Sequence, residues 1–181
     1  QTNSLRELVS QMRAGKVDLL VILDVNPVFD APADLNFADA MGKVPLRVHL
    51  GLYQDETSVY CNWHINQAHY LEAWSDARAF DGTASIVQPL IAPLYSGKSA
   101  HEVLAVFNDQ PEAVGYDLVR SYWQGQLKTQ DFEAAWRKAL HDGFIPGTAL
   151  PPRQVAVKAA SFPAGGSAGQ GIEIIFRRDP S

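Results

Sequence analysis

His64, His69 and Glu72 stand in the pattern H-x4-H-x2-E. Imidazole and carboxylate donors suit zinc or iron. The spacing, however, is not the i, i+4 pair that places two ligands on one helix face, and His64 falls in a segment with strand character. The plainer reading is a polar turn beside a sheet, and no metal site is assigned. Asp55-Glu56-Thr57, with Glu72 and Asp76, offers carboxylates for acid–base work. Acidic residues at a helix start are ordinary, because they complement the helix dipole, so no catalytic residue is assigned either. Cys61 as a nucleophile would need a partner base and an electropositive setting. His64 is near in sequence, but a lone cysteine more often serves as a small buried hydrophobe. Gly82 and Gly97 belong to no phosphate loop, since neither G-x-G-x-x-G nor a Walker sequence occurs. The glycine-rich stretch Gly165–Gly171 lacks a strand-to-helix setting and reads as linker. Trp63, Trp74, Trp123 and Trp136 are most simply core or interface residues.

The elements that would position a site are clearer than the site. Leu19–Leu23 is a continuous apolar run closed by Asp24-Val25-Asn26-Pro27. Such a run reads as a strand buried on both faces of a parallel sheet. The loop leaving its carboxyl end is where open α/β sheets hold ligands, at a switch-point crevice. Ser4-Leu5-Arg6-Glu7 fits a capping box for a helix ended by Gly15. Phe37, Ala40 and Met41 form a short helical face, and Pro45–Leu50 a neighbouring strand. Tyr53–Cys61 reads as a short helix, Trp63–Ile65 as a third strand and Ala84–Gln88 as a fourth. Alternating helices and strands imply a parallel sheet with right-handed crossovers. Gln88–Tyr95 is too proline-rich for a central strand and is expected as an extended connection. Ser99–Glu102 is a second capping box. Pro111 suits a first helical position, ahead of a face formed by Val114, Leu118, Val119 and Tyr122. Thr129 or Gln130 should open a further helix, with Phe132, Trp136 and Leu140 inward and Gly143 at its end. The expected architecture is a three-layer Rossmann-like α/β lobe over residues 1–145. Residues 146–181 form an extended β-rich appendage or linker, with β-rich runs at Val155–Ala159 and Ile172–Phe176.

Bulk properties narrow the function classes. A chain of 181 residues with 46% hydrophobic content can bury a core without metals or disulfides. A net charge of −5 argues against nucleic acid, which wants clustered Lys and Arg. One cysteine excludes an internal disulfide and a cysteine-ligated zinc or iron–sulfur cluster within the chain. No apolar run approaches the ~20 residues of a membrane span. No signal peptide is recognisable. The chain starts without Met and stops after Phe176-Arg177-Arg178-Asp179-Pro180-Ser181, so it is expected to be a fragment of a longer protein, and missing targeting signals decide nothing.

One combination of motifs carries a family resemblance. It runs through Gly15-x-Val17, Val21-Ile22-Leu23-Asp24-Val25-Asn26-Pro27 and Asp55-Glu56-Thr57. It continues with His69-Tyr70-Leu71-Glu72-Ala73-Trp74-Ser75-Asp76, Asp81-Gly82-Thr83 and Val87-Gln88-Pro89. Together these resemble molybdopterin oxidoreductases, and more closely the molybdopterin-oxidoreductase-like iron–sulfur subunit of bacterial alternative complex III, a quinol-oxidising membrane complex. Gln88–Tyr95 and Phe176–Ser181 add to the closer match. The resemblance covers roughly residues 5–107 well and the remainder loosely. It implies a Rossmann-like lobe in which Asp24, Asn26, Glu56 and Thr57 line a crevice able to take part of a pterin nucleotide. The family usually follows Glu-Thr with Ala-Asp, an apolar pair and Leu-Pro; here those places hold Cys61-Asn62, Trp63-His64 and Ile65-Asn66. Ser75 stands where the family has Gly. These departures speak against a bound molybdenum cofactor and agree with the closer subunit, which keeps the fold without molybdenum. The resemblance further implies a parent with iron–sulfur clusters held outside this segment, exported to the periplasmic side and associated with a membrane. Its partners would be the other domains of the parent and the other subunits of the complex. The expected role is a structural and docking lobe. The alternatives are one lobe of an active molybdenum oxidoreductase, binding part of a molybdopterin guanine dinucleotide, and an unrelated small-molecule binding module.

Overall fold

In the computed structural model, residues 2–156, 172 and 174 are described. The chain divides into two compact units, residues 1–150 and 151–181. Residues 151–156 carry no regular secondary structure. Most of the two β-rich runs expected beyond residue 154 lies outside the described residues.

The first unit begins with α1 (Thr2–Arg13), which feeds β1 (Leu19–Leu23). Gly15, at φ +66°, ends α1 with the backbone bonds Gly15 N to Met12 O and Lys16 N to Gln11 O; this left-handed conformation costs glycine little. Ser4 lies inside the first turns of α1 rather than at its cap, because the helix starts earlier than the capping-box pattern suggests. After β1 come α2 (Pro27–Asp30), a 3-10 turn (Ala33–Leu35), α3 (Phe37–Met41), β2 (Leu46–Gly51), α4 (Glu56–Val59) and β3 (Trp63–Asn66). Strands β1, β2 and β3 form a parallel sheet in that order. The order steps in one direction only, so the described strands contain no reversal of the kind that makes a switch point.

The two faces of this sheet differ. Leu20 and Ile22 point into a core with Val9 and Met12 of α1 and Phe37, Ala40 and Met41 around α3. The opposite face is only partly covered: Leu19 is 39% exposed, Leu46 41% and Trp63 65%. The expectation that Leu19–Leu23 is buried on both faces therefore needs correction. An apolar run reports the affinity of its side chains for cover, not whether the same chain supplies that cover.

A second, antiparallel sheet follows, made of β4 (Ser75–Arg78), β5 (Ala84–Val87) and β6 (Phe144–Ile145) in that order. The expected fourth strand, Ala84–Gln88, forms over Ala84–Val87 but does not extend the parallel sheet. It pairs instead with β4, a strand with no apolar run to announce it. The turn between them is fixed by Asp81, whose carboxylate accepts from Thr83 N at 2.9 Å and from Thr83 Oγ1 at 3.0 Å; Gly82 sits at φ +89°.

Helices α5 (Ala100–Val106), α6 (Gly115–Gln126) and α7 (Phe132–Asp142) complete the unit. Trp123, Trp136, Val119 and Ala139 close a second core over Ala84, Ile86 and Ile145, with Trp74 and Tyr116 at its margin. Ser99 and Glu102 form the expected capping box of α5. Helix α6 starts at Gly115, so Pro111 belongs to the preceding turn. Helix α7 is capped by Asp131, whose carboxylate accepts from Ala134 N, and ends at left-handed Gly143. The extended Gln88–Tyr95 connection returns the chain to β3. There Lys98 N donates to Asn66 O and Ala68 N to Lys98 O. A Cβ at Gly97 would come within 2.8 Å of Ala68 N, so only glycine permits this approach.

Candidate functional site

The crevice proposed from sequence lies beyond the carboxyl ends of β1 and β2. Asp24 is in the left-handed region at φ +54°, and its N–H still reaches Leu50 O at 2.9 Å. The chain leaves the sheet there and enters α2, with Asn26 at the cap position and Pro27 just inside. Asp55 caps α4 by accepting from Ser58 N at 2.9 Å. The two short helices are tied by side chains. Asn26 Nδ2 donates to Glu56 Oε2 at 2.7 Å, and Thr57 Oγ1 donates to Asn26 Oδ1 at 2.7 Å. The same hydroxyl accepts from Val28 N at 3.1 Å. Thr57 is fully buried. The Asn26 amide is the first cause, and a backbone bond the second, that holds the Glu56 carboxyl below its ordinary value. Three of the four candidate residues are thus brought together, while the Asp24 side chain is exposed on the turn.

This cluster fits a pterin dinucleotide poorly. A diphosphate wants cationic or backbone N–H donors, and the side chains here are two carboxylates, an amide and a hydroxyl. The amide and the hydroxyl already satisfy each other. The cation on the adjoining strand, Arg47, donates to Val44 O and to Tyr60 O. The chemistry of the cluster is that of a brace between two helix starts.

Sequence reasoning missed a second cluster. The parallel register places His49 of β2 beside His64 of β3, with Nδ1 of one ring 3.0 Å from Nδ1 of the other. His49 is buried. Its ring folds over Gly51, where a Cβ would lie 2.7 Å from His49 Cε1. His49 Nε2 is 3.9 Å from Asp55 Oδ2. Burial first, and the neighbouring His49 second, hold the His64 imidazole below its ordinary value, while Asp55 works the other way. Alternation along Leu46–Gly51 puts Arg47 and His49 on one face, but the 49–64 pairing needs a register that a sequence does not display.

The remaining candidates are separated. His69 Nδ1 accepts from Leu71 N at 3.3 Å. Glu72 accepts from His69 N and from Leu94 N, pinning two loops. Asp76 accepts from Trp123 Nε1 at 2.8 Å. Among the described residues, no three His, Cys, Asp or Glu side chains are grouped to hold a metal ion. Cys61 is half-buried against the first core, and burial pushes its thiol up; that setting suits packing rather than attack.

Comparison with known proteins now bears on these residues. The chain is 29% identical over 158 residues to a menaquinone reductase, molybdopterin-binding-like subunit, of Nitratidesulfovibrio vulgaris strain Hildenborough. The chain is similar to a molybdopterin-binding-like subunit. The match covers 85% of this chain and 22% of that protein, so the chain spans about a fifth of the relative's length. It agrees with the molybdopterin-related part of the sequence resemblance. Among solved structures, acetylene hydratase from Pelobacter acetylenicus gives a TM-score of 0.49 at 18% identity, covering 58% of this chain and 16% of that one. No family model matches the chain.

Proposed function

We propose that this chain is a docking lobe of a longer molybdopterin-oxidoreductase-like subunit, within a membrane-associated electron-transfer complex that works on a quinone or quinol. The observation that carries the reading is the half-covered second face of the parallel sheet, where Leu19, Leu46 and Trp63 remain accessible. Apolar surface of this kind marks a place where another body packs. The occupant is the remainder of the longer subunit; the similar menaquinone reductase subunit has about four-fifths of its length beyond the match. The mutual bonding of Asn26 with Glu56 and Thr57, a brace between two helix starts, supports a lobe without catalysis of its own. The parent's iron–sulfur clusters lie outside this chain, and its station is the periplasmic side of the membrane.

The aromatics provide the test. Tyr95 is 78% exposed and Trp63 65%, whereas Trp74 packs edge-to-face on Tyr116 with centroids 4.9 Å apart. Aromatic side chains at an interface centre commonly cost about 2 kcal/mol or more when truncated. Tyr95→Ala and Trp63→Ala in the parent protein should each lower the recovery of intact complex while leaving the unfolding midpoint of this chain unchanged. Trp74→Ala should lower that midpoint. Normal assembly of both exposed-site variants would overturn the docking role, and nucleotide binding at the Asn26 crevice would then be measured.

A further inference from the structure

The β4 edge of the second sheet faces a groove of about 510 Å³ bounded by α5 and α6. Asp76, Ala77 and Arg78 all line it. Consecutive strand residues point to opposite faces, so a cavity that touches all three runs along the edge of the strand. The backbone polarity of that edge follows from the other side of the sheet. Ile86 N donates to Gly143 O, and Ala84 N to Thr148 Oγ1, away from β4. Ser85 and Val87 therefore bond to their β4 partners Ala77 and Ser75. The N–H and C=O groups of Asp76 and Arg78 point outward, into the groove. Among the described residues, no backbone hydrogen bond reaches them from outside the sheet, although the Asp76 carbonyl takes a long bond, 3.4 Å, from the Ser75 hydroxyl.

The opposite wall is preformed. Leu104 and Ala105 of α5, with Asn108 in the turn after it, make this wall, and Leu118 and Tyr122 of α6 form the floor. Leu104 is 46% exposed and Tyr122 50%. His101 Nε2 lies 3.1 Å from Ser75 Oγ, which fixes the spacing between helix and strand. Arg78 stacks over Trp123, with its guanidinium carbon 5.6 Å from the ring centroid. No carboxylate among the described residues forms an ion pair with it.

We infer that this groove binds an extended peptide segment of a partner protein, added as a fourth strand beside β4. Main-chain bonds to Asp76 and Arg78 supply affinity, and side-chain pockets supply selectivity, as in other strand additions. Alternate residues of the peptide would be apolar and enter between Leu104 and Tyr122. An acidic residue would sit beside Arg78. The inference stands on a different surface from the docking face of the parallel sheet, and either can fail alone.

The test uses the full 181-residue chain and a phage-displayed library of short linear peptides. Enriched peptides should alternate apolar residues and carry an acidic one, and their synthetic forms should shift the Asp76 and Arg78 amide resonances. Leu104→Glu, at an exposed position, should leave the unfolding midpoint in place and weaken binding about tenfold or more; Tyr122→Glu provides a second block. N-methylation of the peptide amides that face β4 should abolish binding, and methylation of the alternate amides should not. Enrichment no greater than on the Leu104→Glu chain would overturn the inference, as would indifference to N-methylation. Self-association of the chain that shifts the same two amides would also overturn it, because the occupant would then be a second copy.

Discussion

His49 and His64 can share one proton across their 3.0 Å contact, but a proton on both Nδ1 atoms would set two donors against each other. The charged group beside the pair is Asp55 at the start of α4, 3.9 Å from the far side of His49. Asp55 favours a charged ring, but for His64 it is outweighed by burial and by His49. The sign of the pH effect follows. A histidine whose folded pKa is depressed is protonated first in the unfolded chain, so its stabilisation is complete at high pH and is lost as pH falls through the unfolded value. The denaturant midpoint should therefore decline between about pH 7 and about pH 5. His64→Gln should flatten that decline. An equally steep decline in the variant would assign the pH response to other groups. At this scale the sequence offered Asn26 from the loop leaving the first strand, and Glu56 and Thr57 from an acidic helix start and the family resemblance. That they brace one another, and that His49 meets His64, depends on distances set by the sheet.

At the scale of elements, legibility followed local chemistry. Gly15 and Gly143 ended helices because the left-handed region is open to glycine, and both carry positive φ. Ser99 and Glu102 formed their reciprocal cap because both bonds lie within one turn: Glu102 N to Ser99 Oγ at 3.2 Å and Ser99 N to Glu102 Oε2 at 2.8 Å. Ser4 and Glu7 have the same residue types but lie within a helix that already began at Thr2. Strand β4 was illegible for the opposite reason. Ser75-Asp76-Ala77-Arg78 has no β propensity to speak of, and it is extended because β5 pairs with it and Trp123 holds Asp76. The pairing of Ala84–Val87 was illegible with it, since strand direction is a property of the partner. Ser99→Ala should remove the α5 cap and cost about 0.5–2 kcal/mol of stability. The measurement is the shift in denaturant midpoint at constant slope. An unchanged midpoint would show that the cap contributes nothing and that α5 is held by its packing.

For the whole molecule, the two faces of the parallel sheet set an unequal task. The α1–α3 face is closed by side chains of the same chain, with Met12, Met41 and Val44 nearly without solvent contact. On the other face Leu50 is buried, but Val48 and Ile65 line a cleft with Val103 and Val106 of α5 and with Phe107 just after it. Leu19, Leu46 and Trp63, at the amino-terminal ends of β1, β2 and β3, carry this apolar surface across all three strands. Apolar area left in water costs about 25 cal/mol per Å² relative to burial, so a chain carrying such a surface alone should find cover in another copy of itself. Analytical sedimentation of the isolated chain should show association that rises with concentration. Leu46→Lys and Trp63→Lys should each return it to a monomer, with an unchanged or higher unfolding midpoint, because both positions are exposed and neither lies within the two cores. On the proposed docking role, the same two substitutions in a longer parent should reduce its assembly, since the copy–copy contact and the docking contact would use one face. A chain that stays monomeric at all concentrations, together with a Leu46→Lys parent that assembles fully, would show that this face is tolerated in water and leave the docking role without its surface.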